Sequence, residues 1–108
     1  MLLGRGEFRG KRIVKESSLA TMTATWTEKF APLGSKGFDM GFSLYVLDDP
    51  SMDPTLAPKG IYGWSGYHNT HFWIDPASNL FVLFMSRSRE FENDMTRQLR
   101  VAVYGEAE

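Results

Sequence analysis

The stretch Gly60–Met85, GIYGWSGYHNTHFWIDPASNLFVLFM, decides the fold that we predict for this chain. Residues in Thr70–Asp75 alternate between two faces of a strand. One face would carry Thr70, Phe72 and Ile74, and the other His71, Trp73 and Asp75. Leu80–Met85 is apolar at every position, so we expect both of its faces to be covered. Because Asp75–Asn79 has the proline and asparagine of a tight turn, the stretch predicts an antiparallel hairpin.

The segment before this hairpin predicts a short helix. The first three residues resemble a last helical turn with Gly4 as its C-cap, and Gly6–Val14 is expected to be a connector. Ser17 and Ser18 are candidate N-caps for a helix that ends near Thr25. Its apolar face would consist of Leu19, Met22 and Trp26.

A loop, a strand and a second loop are predicted between this helix and the hairpin. Thr27–Gly37 is loop-like, and the alternation within Phe38–Leu47 predicts one strand. Asp48–Lys59 holds three of the five prolines and two Asp-Pro pairs, so we expect a solvated loop. Whether this loop gates a site or only links strands is left open by the sequence.

The C-terminal residues predict a helix that ends at Gly105. Its candidate N-caps are Glu92, Asn93 and Asp94. Its apolar stripe would contain Phe91, Met95, Leu99 and Ala102 or Val103, with Arg97 and Arg100 on the opposite side. Together these elements predict one α+β domain over residues 1–108: an antiparallel sheet with the C-terminal helix packed on it and a short N-terminal helix.

Composition and charge exclude several classes of function. Twelve Lys and Arg stand against 13 Asp and Glu, so bulk charge gives no reason to expect nucleic acid or an anionic membrane as a partner. The longest apolar run is far below membrane-spanning length. The absence of cysteine excludes disulfides and thiol chemistry and leaves the compartment open.

The residues alone do not assemble a catalytic or metal centre. His68 and His71 are three apart, which places them on opposite faces of a strand, so polar strand or loop residues are favoured over a metal site. No nucleophile elbow singles out a serine. The aromatic residues Phe72, Trp73, Phe81 and Phe84 could line a ligand pocket, but we interpret them as core, which is the commoner role of aromatic residues on the faces of a sheet. We therefore predict no cofactor and no metal.

Three blocks of sequence occur in an order that points to a known family. They are residues 1–23, residues Gly37–Phe42, and the pair Tyr62–Gly66 and Asn69–Pro76. The first resembles a helix end followed by a "gG-x-x-nGkrilS" loop and a short helix, and the second a "yGlGf" strand. The third is similar to a "GWGG-x-x-GT-x-F-W-v-DP" hairpin. All three resemble the C-terminal part of the serine β-lactamase, penicillin-binding protein and esterase superfamily, on its class C side and in its esterase branch.

This resemblance implies a partial β-lactamase-like fold and a site divided between two parts of an enzyme. Family members acylate the serine of an S-x-x-K motif, use the tyrosine of a Y-x-N motif for proton transfer, and line the opposite wall with a K-T-G strand. Here Trp64, Ser65 and Gly66 stand at the K-T-G position, where they would bind substrate. The resemblance makes the backbone N–H of Tyr67 an oxyanion-hole donor. Since Trp64 replaces the lysine, a small ester or amide is implied as substrate rather than a carboxylate-bearing β-lactam.

We expect the S-x-x-K and Y-x-N motifs both to lie outside these 108 residues, so the chain would be a C-terminal fragment that is inactive by itself. Its expected partner is the N-terminal part of the same hydrolase, or a second copy bound through the exposed edge of the sheet. Two alternatives stay open. One is a stand-alone binding or assembly module that kept the sheet; the other is an unrelated small α+β domain with a ligand among Trp64, His71 and Trp73.

Overall fold

In the computed structural model, residues 1–27, 36–90 and 94–108 are described. Their main element is an antiparallel sheet of five strands in chain order. Its strands are β3 Phe38–Met40, β4 Tyr45–Leu47, β5 Tyr62–Gly66, β6 Thr70–Asp75 and β7 Leu80–Phe84. A two-stranded hairpin, β1 Glu7–Phe8 with β2 Lys11–Arg12, precedes it, and the helices are α1 Glu16–Thr23 and α2 Met95–Tyr104. The predicted α+β class with an antiparallel sheet is confirmed.

The hairpin of β6 and β7 forms as its alternation and turn residues predict. Trp73 lies opposite Val82 on β7 and opposite Gly63 on β5, so β6 is paired on both sides. At the turn, Asn79 has a φ of 52°, and the Asp75 carboxylate accepts the Ser78 N–H at 2.9 Å. Asparagine tolerates this left-handed conformation, which is why it ends the turn.

Each face of the sheet carries its own core. The core beneath α2 contains Phe38, Leu47, Ala57, Ile61 and Trp73, with Leu99 and Tyr104 of α2 packed against it. The core of the opposite face contains Leu44, Val46, Tyr62 and Ile74, with Leu2 and Leu3 packed against it. Neighbouring β6 residues point to opposite faces, so Trp73 and Ile74 enter different cores.

The first 27 residues differ in part from the prediction. Arg5 has a φ of 50° and donates to the Leu2 carbonyl, while Gly6 donates to the Met1 carbonyl. These are the two hydrogen bonds of a Schellman motif, which places Gly4 at its predicted C-cap. The predicted connector Gly6–Val14 is instead the hairpin of β1 and β2.

The predicted caps and face of α1 are also partly wrong. The helix begins at Glu16, so Ser17 and Ser18 lie inside it, and no side chain caps its N-terminus. Leu19 is buried as expected, whereas Trp26 lies beyond the helix and is exposed. The helix is held by the burial of Leu19 rather than by a cap, which the sequence does not distinguish.

Phe38–Leu47 forms two strands rather than the single one predicted. The chain reverses between β3 and β4, where Gly41 donates to the Leu44 carbonyl and Ser43 has a φ of 53°. A side chain at Gly41 would come within 2.3 Å of the Met22 carbonyl oxygen, so α1 is packed directly against this turn. Most of the predicted loop Thr27–Gly37 lies outside the described residues.

The prediction of a solvated loop over Asp48–Lys59 is only partly right, because the segment is exposed at most positions but buried at three. Pro50–Met52 forms a short 3-10 helix, and Asp53, Thr55 and Ala57 are buried. Asp53 binds Arg100 of α2 through two contacts of 3.1 and 3.3 Å. That buried pair ties the middle of the segment to α2, which a solvated loop would not show.

The predicted orientation of α2 is wrong in one important respect. Arg100, expected to face solvent, is 6% exposed, and its guanidinium lies 4.7 Å from the centre of the Phe38 ring. Leu99 packs on the core as predicted, but Ala102 and Val103 are exposed. Gly105, with a φ of 95°, ends the helix as expected. Of the predicted N-caps, Asp94 occupies that position without a capping hydrogen bond; Phe91, Glu92 and Asn93 lie outside the described residues.

Strand β7 is covered on one face and bare on the other. Phe81, Leu83 and Met85 are 64%, 60% and 71% exposed, which contradicts the prediction that both faces of Leu80–Met85 are covered. The strand is also the last of the sheet, so no described strand pairs with its outer edge. Neither α1 nor α2, the two α-helices of the described ranges, is long and apolar enough to span a membrane.

Candidate functional site

Strand β5 has an open edge where the sequence places the site. β4 pairs with β5 only at Tyr62 and Gly63, whereas β6 pairs with all five residues of β5. Trp64, Ser65 and Gly66 therefore have β6 on one side and, within the described parts of the chain, no strand on the other. Such an edge offers backbone N–H and C=O groups to an extended ligand.

A shallow apolar groove of about 200 Å³ crosses the sheet from these residues over β6 to the end of β7. It is lined by Trp64, Ser65, Gly66, Thr70, His71, Phe72, Leu83 and Met85. No lysine or arginine is among these lining residues, so the groove offers no cation to a substrate carboxylate.

Trp64 is held against the sheet by its aromatic neighbour on β4. The Trp64 and Tyr45 rings stack with their centres 6.3 Å apart, and the Tyr45 hydroxyl donates to the Phe72 carbonyl at 3.2 Å. Tyr45 lies opposite Gly63 in the β4–β5 register. The contacts of Tyr45 thus position Trp64, and burial raises the pKa of the Tyr45 phenol, which keeps it protonated.

The turn after β5 presents the Tyr67 backbone. Gly66 accepts the Asn69 N–H at 3.0 Å, and Asn69 has a φ of 60°. This is the three-residue hairpin turn in which a type I turn is followed by a left-handed residue. Since the bond that closes the turn uses the Asn69 N–H, it leaves the N–H of Tyr67 to other acceptors. Tyr67 is 86% exposed, so the first residue of the turn lies at the surface.

One expectation about motifs is corrected by the chain itself. Tyr67, His68 and Asn69 match Y-x-N letter for letter, so that pattern is not absent. They form the turn directly after Trp64–Gly66 instead of lying in a separate helical part, and the Asn69 side chain is committed to His71. The hairpin turn explains the asparagine of this triplet, because Asn is favoured at the left-handed position of the turn.

Behind the turn lies a polar cluster that the sequence did not single out. The His71 Nε2 lies 2.8 Å from Asn69 Oδ1, and its Nδ1 lies 2.9 Å from Thr96 Oγ1 of α2. The Ser86 hydroxyl bonds the carbonyls of His68 and Asn69, at 2.7 and 2.9 Å. Burial lowers the pKa of His71, which favours its neutral form. In the sequence, the one sign of this cluster was a histidine, His71, at a position of β6 that faces the interior.

The two histidines have different surroundings. The His68 Nδ1 is 3.3 Å from the Ser88 carbonyl at the surface, whereas His71 is buried beneath the sheet. In the described ranges no group of three or more His, Asp or Glu is placed to hold a metal ion. Trp73 is fully buried and donates to the Tyr104 hydroxyl at 2.9 Å, so it belongs to the core and does not line the groove.

Comparison with known proteins identifies the family. The Beta-lactamase family profile matches residues 3–105. Among solved structures, EstCE1, a hydrolase with promiscuous acyltransferase activity, superposes with a TM-score of 0.77 at 24% identity. The match covers 96% of this chain and 27% of EstCE1, so the chain spans about a quarter of that protein. A search of curated proteins gave no significant match. The five-stranded sheet and two helices are thus part of a β-lactamase-like fold, and the chain belongs to the β-lactamase family.

Proposed function

We propose that this chain forms the C-terminal wall of the acyl-transfer site of an esterase-like serine hydrolase. The observation that carries the proposal is the open edge of Trp64–Gly66, which leads directly into the turn that presents the Tyr67 N–H. Substrate would lie along this edge, and Gly66 would let it approach the backbone closely. The Ser65 hydroxyl would donate a hydrogen bond to it. The Tyr67 N–H would stabilise the developing oxyanion.

The proposed substrate class is a small ester or amide without a required carboxylate. Trp64 stands where family members with K-T-G have a lysine, and the groove beside it is apolar. A carboxylate placed there would lose water without gaining an ion pair, which costs affinity. EstCE1, which shares this fold, is a hydrolase with promiscuous acyltransferase activity, which agrees with an acyl-transfer site.

The same proposal makes the isolated chain inactive. The 108 residues contain no S-x-x-K sequence, and the Tyr67–Asn69 triplet has no such serine beside it. An oxyanion donor without an attacking group gives little rate enhancement. The nucleophile and the base would come from the remainder of the same hydrolase, which this chain would complete as its C-terminal part.

The bare face of β7 is the proposed binding surface for that remainder. Phe81, Leu83 and Met85 form one apolar stripe beside the outer edge of β7, to which no described strand pairs. Without a partner, two copies would associate through this stripe, because it exposes both apolar surface and unpaired backbone groups. This exposed stripe also favours the second candidate function, a non-catalytic binding or assembly module.

Two measurements test the proposed function. The purified chain is treated with a serine-directed fluorophosphonate, read by intact mass, and assayed with a p-nitrophenyl ester; neither an adduct nor turnover is expected. Next, a chimera is made in which this chain replaces the matched segment of EstCE1. It should hydrolyse the ester, and Gly66→Val should abolish the activity, whereas Ala102→Val, on the exposed side of α2, should leave it intact.

A fluorophosphonate adduct on one serine of the isolated chain would overturn the proposal, because it would reveal a complete site within these residues. A folded chimera that is indifferent to Gly66→Val would contradict the wall assignment. For the surface, sedimentation velocity should show the wild-type chain associating and Leu83→Lys monomeric. A monomeric wild-type chain would refute self-association through β7.

A further inference from the structure

The buried imidazole of His71 contacts the turn that carries the proposed oxyanion donor. Asn69, the last residue of the turn, is held in a left-handed conformation and is 3% exposed. Its side-chain oxygen faces the His71 Nε2 at 2.8 Å. Because an amide oxygen only accepts, this contact requires the proton on Nε2, and the Nδ1 then accepts from the Thr96 hydroxyl.

Residues His71 and Asn69 have separate links to rigid elements. His71 is the second residue of β6, which is paired on both sides, and Thr96 lies in the first turn of α2. On the outer side, the Ser86 hydroxyl and the Ser88 N–H both bond the His68 carbonyl. The turn is thus held from two sides, and the imidazole contact reaches the side chain of its left-handed residue.

We propose that His71 is a positioning residue for the oxyanion donor: through its Nε2–H bond to Asn69 it fixes the turn that sets the direction of the Tyr67 N–H. The role deepens the proposed function and rests on it. His71 does not touch the reacting atoms in this assignment. It acts through the backbone, since the position of Asn69 determines the orientation of the preceding peptide groups.

Two substitutions separate this role from mere packing. A glutamine amide nitrogen reaches about as far as Nε2 of histidine, and an asparagine amide nitrogen about as far as Nδ1. His71→Gln should therefore keep a donor for Asn69, while His71→Asn should keep a group near Thr96 and lose Asn69. Positioning of the turn through Asn69 predicts that His71→Asn disturbs the turn and that His71→Gln does not. A role that depends on the Thr96 contact predicts the reverse.

The first experiment uses ¹H–¹⁵N NMR of the isolated chain and needs no activity. In His71→Gln the Tyr67 amide resonance and the protection of the Asn69 N–H should stay close to wild type. In His71→Asn the Tyr67 resonance should move and the Asn69 N–H should exchange about tenfold faster, as expected for a locally opened turn. Thr96→Val, which removes only the Nδ1 contact, should resemble wild type. Urea unfolding of each variant establishes that it is folded.

Equal perturbation by the two His71 variants, or an undisturbed turn in His71→Asn, would overturn the proposal. The second experiment measures the same variants in the EstCE1 chimera. His71→Asn should lower kcat about tenfold with KM nearly unchanged, less than the roughly 100-fold or larger loss on removing an oxyanion donor outright, and His71→Gln should restore most of it. A loosened turn with unchanged kcat would refute the catalytic part of the role. If the chimera is inactive altogether, the proposed function has failed, and the NMR result still decides whether His71 positions the turn.

Discussion

Arg100→Met tests the buried ion pair that joins the segment before β5 to the C-terminal helix. The guanidinium donates to both Asp53 oxygens at 3.1 and 3.3 Å, and both side chains are nearly fully buried. Methionine keeps most of the stem of the side chain but removes both guanidinium contacts from the Asp53 carboxylate, which keeps its hydrogen bond from the Thr55 hydroxyl at 3.0 Å. The variant therefore isolates the loss of charge compensation from the loss of volume.

The expected cost is about 3–5 kcal/mol, the range found when one partner of a buried pair is removed. About 1 kcal/mol of this cost comes from loss of the contact between the guanidinium and the Phe38 ring. For a domain of this size each kcal/mol lowers the unfolding temperature by about 4–8 °C, so a drop of at least about 12 °C is expected. Such a loss is a large part of a typical domain stability of about 5–15 kcal/mol.

Urea unfolding followed by tryptophan fluorescence measures this cost. The double variant Asp53→Leu with Arg100→Met should recover much of the stability, because an apolar pair carries no desolvation penalty. Arg97, which binds Asp94 at the start of α2 and is partly exposed, is the matched control: Arg97→Met should cost far less than Arg100→Met, because solvent screens that pair. A cost below about 1 kcal/mol for Arg100→Met, or a double variant as unstable as the single one, would refute the assigned role of the pair.

Two further predictions concern the sheet and its tyrosines. Gly63→Ala places a methyl group 2.0 Å from the Phe72 carbonyl oxygen, which strand pairing keeps from moving. We therefore expect the free energy of unfolding in urea to fall by about 3 kcal/mol. Wild-type stability of this variant would contradict the close approach. Burial raises the pKa values of Tyr45, Tyr62 and Tyr104, the last to about 12. These folded-state pKa values lie above the unfolded value of about 10, so the phenols stabilise the fold fully below pH 10 and that contribution is lost as pH rises towards 12. Absorbance at 295 nm should show these three ionising together with unfolding, and ionisation of all the tyrosines near pH 10 in a folded protein would contradict their burial.

Several features of this protein were determined by local sequence. Alternation in Thr70–Asp75 and the residues of the following turn specify the central hairpin, because strand period and turn conformation depend on neighbours along the chain. The conformation of Gly105 likewise marks the end of α2. The proposal of a site at Trp64–Gly66 rests on a motif, and the family match confirms the resemblance to that family but not the site.

Other features were decided only by tertiary structure. Arg100 reads as a solvent-facing helical residue, and Asp53 reads as part of a proline-rich loop. They are buried because packing brings together two opposite charges that lie 47 positions apart, and only then can each be removed from water. The same holds for His71, whose partners come from a turn and from α2. Hydrophobic periodicity records which residues avoid water, but it contains no information on which distant polar groups will satisfy one another once the chain has folded.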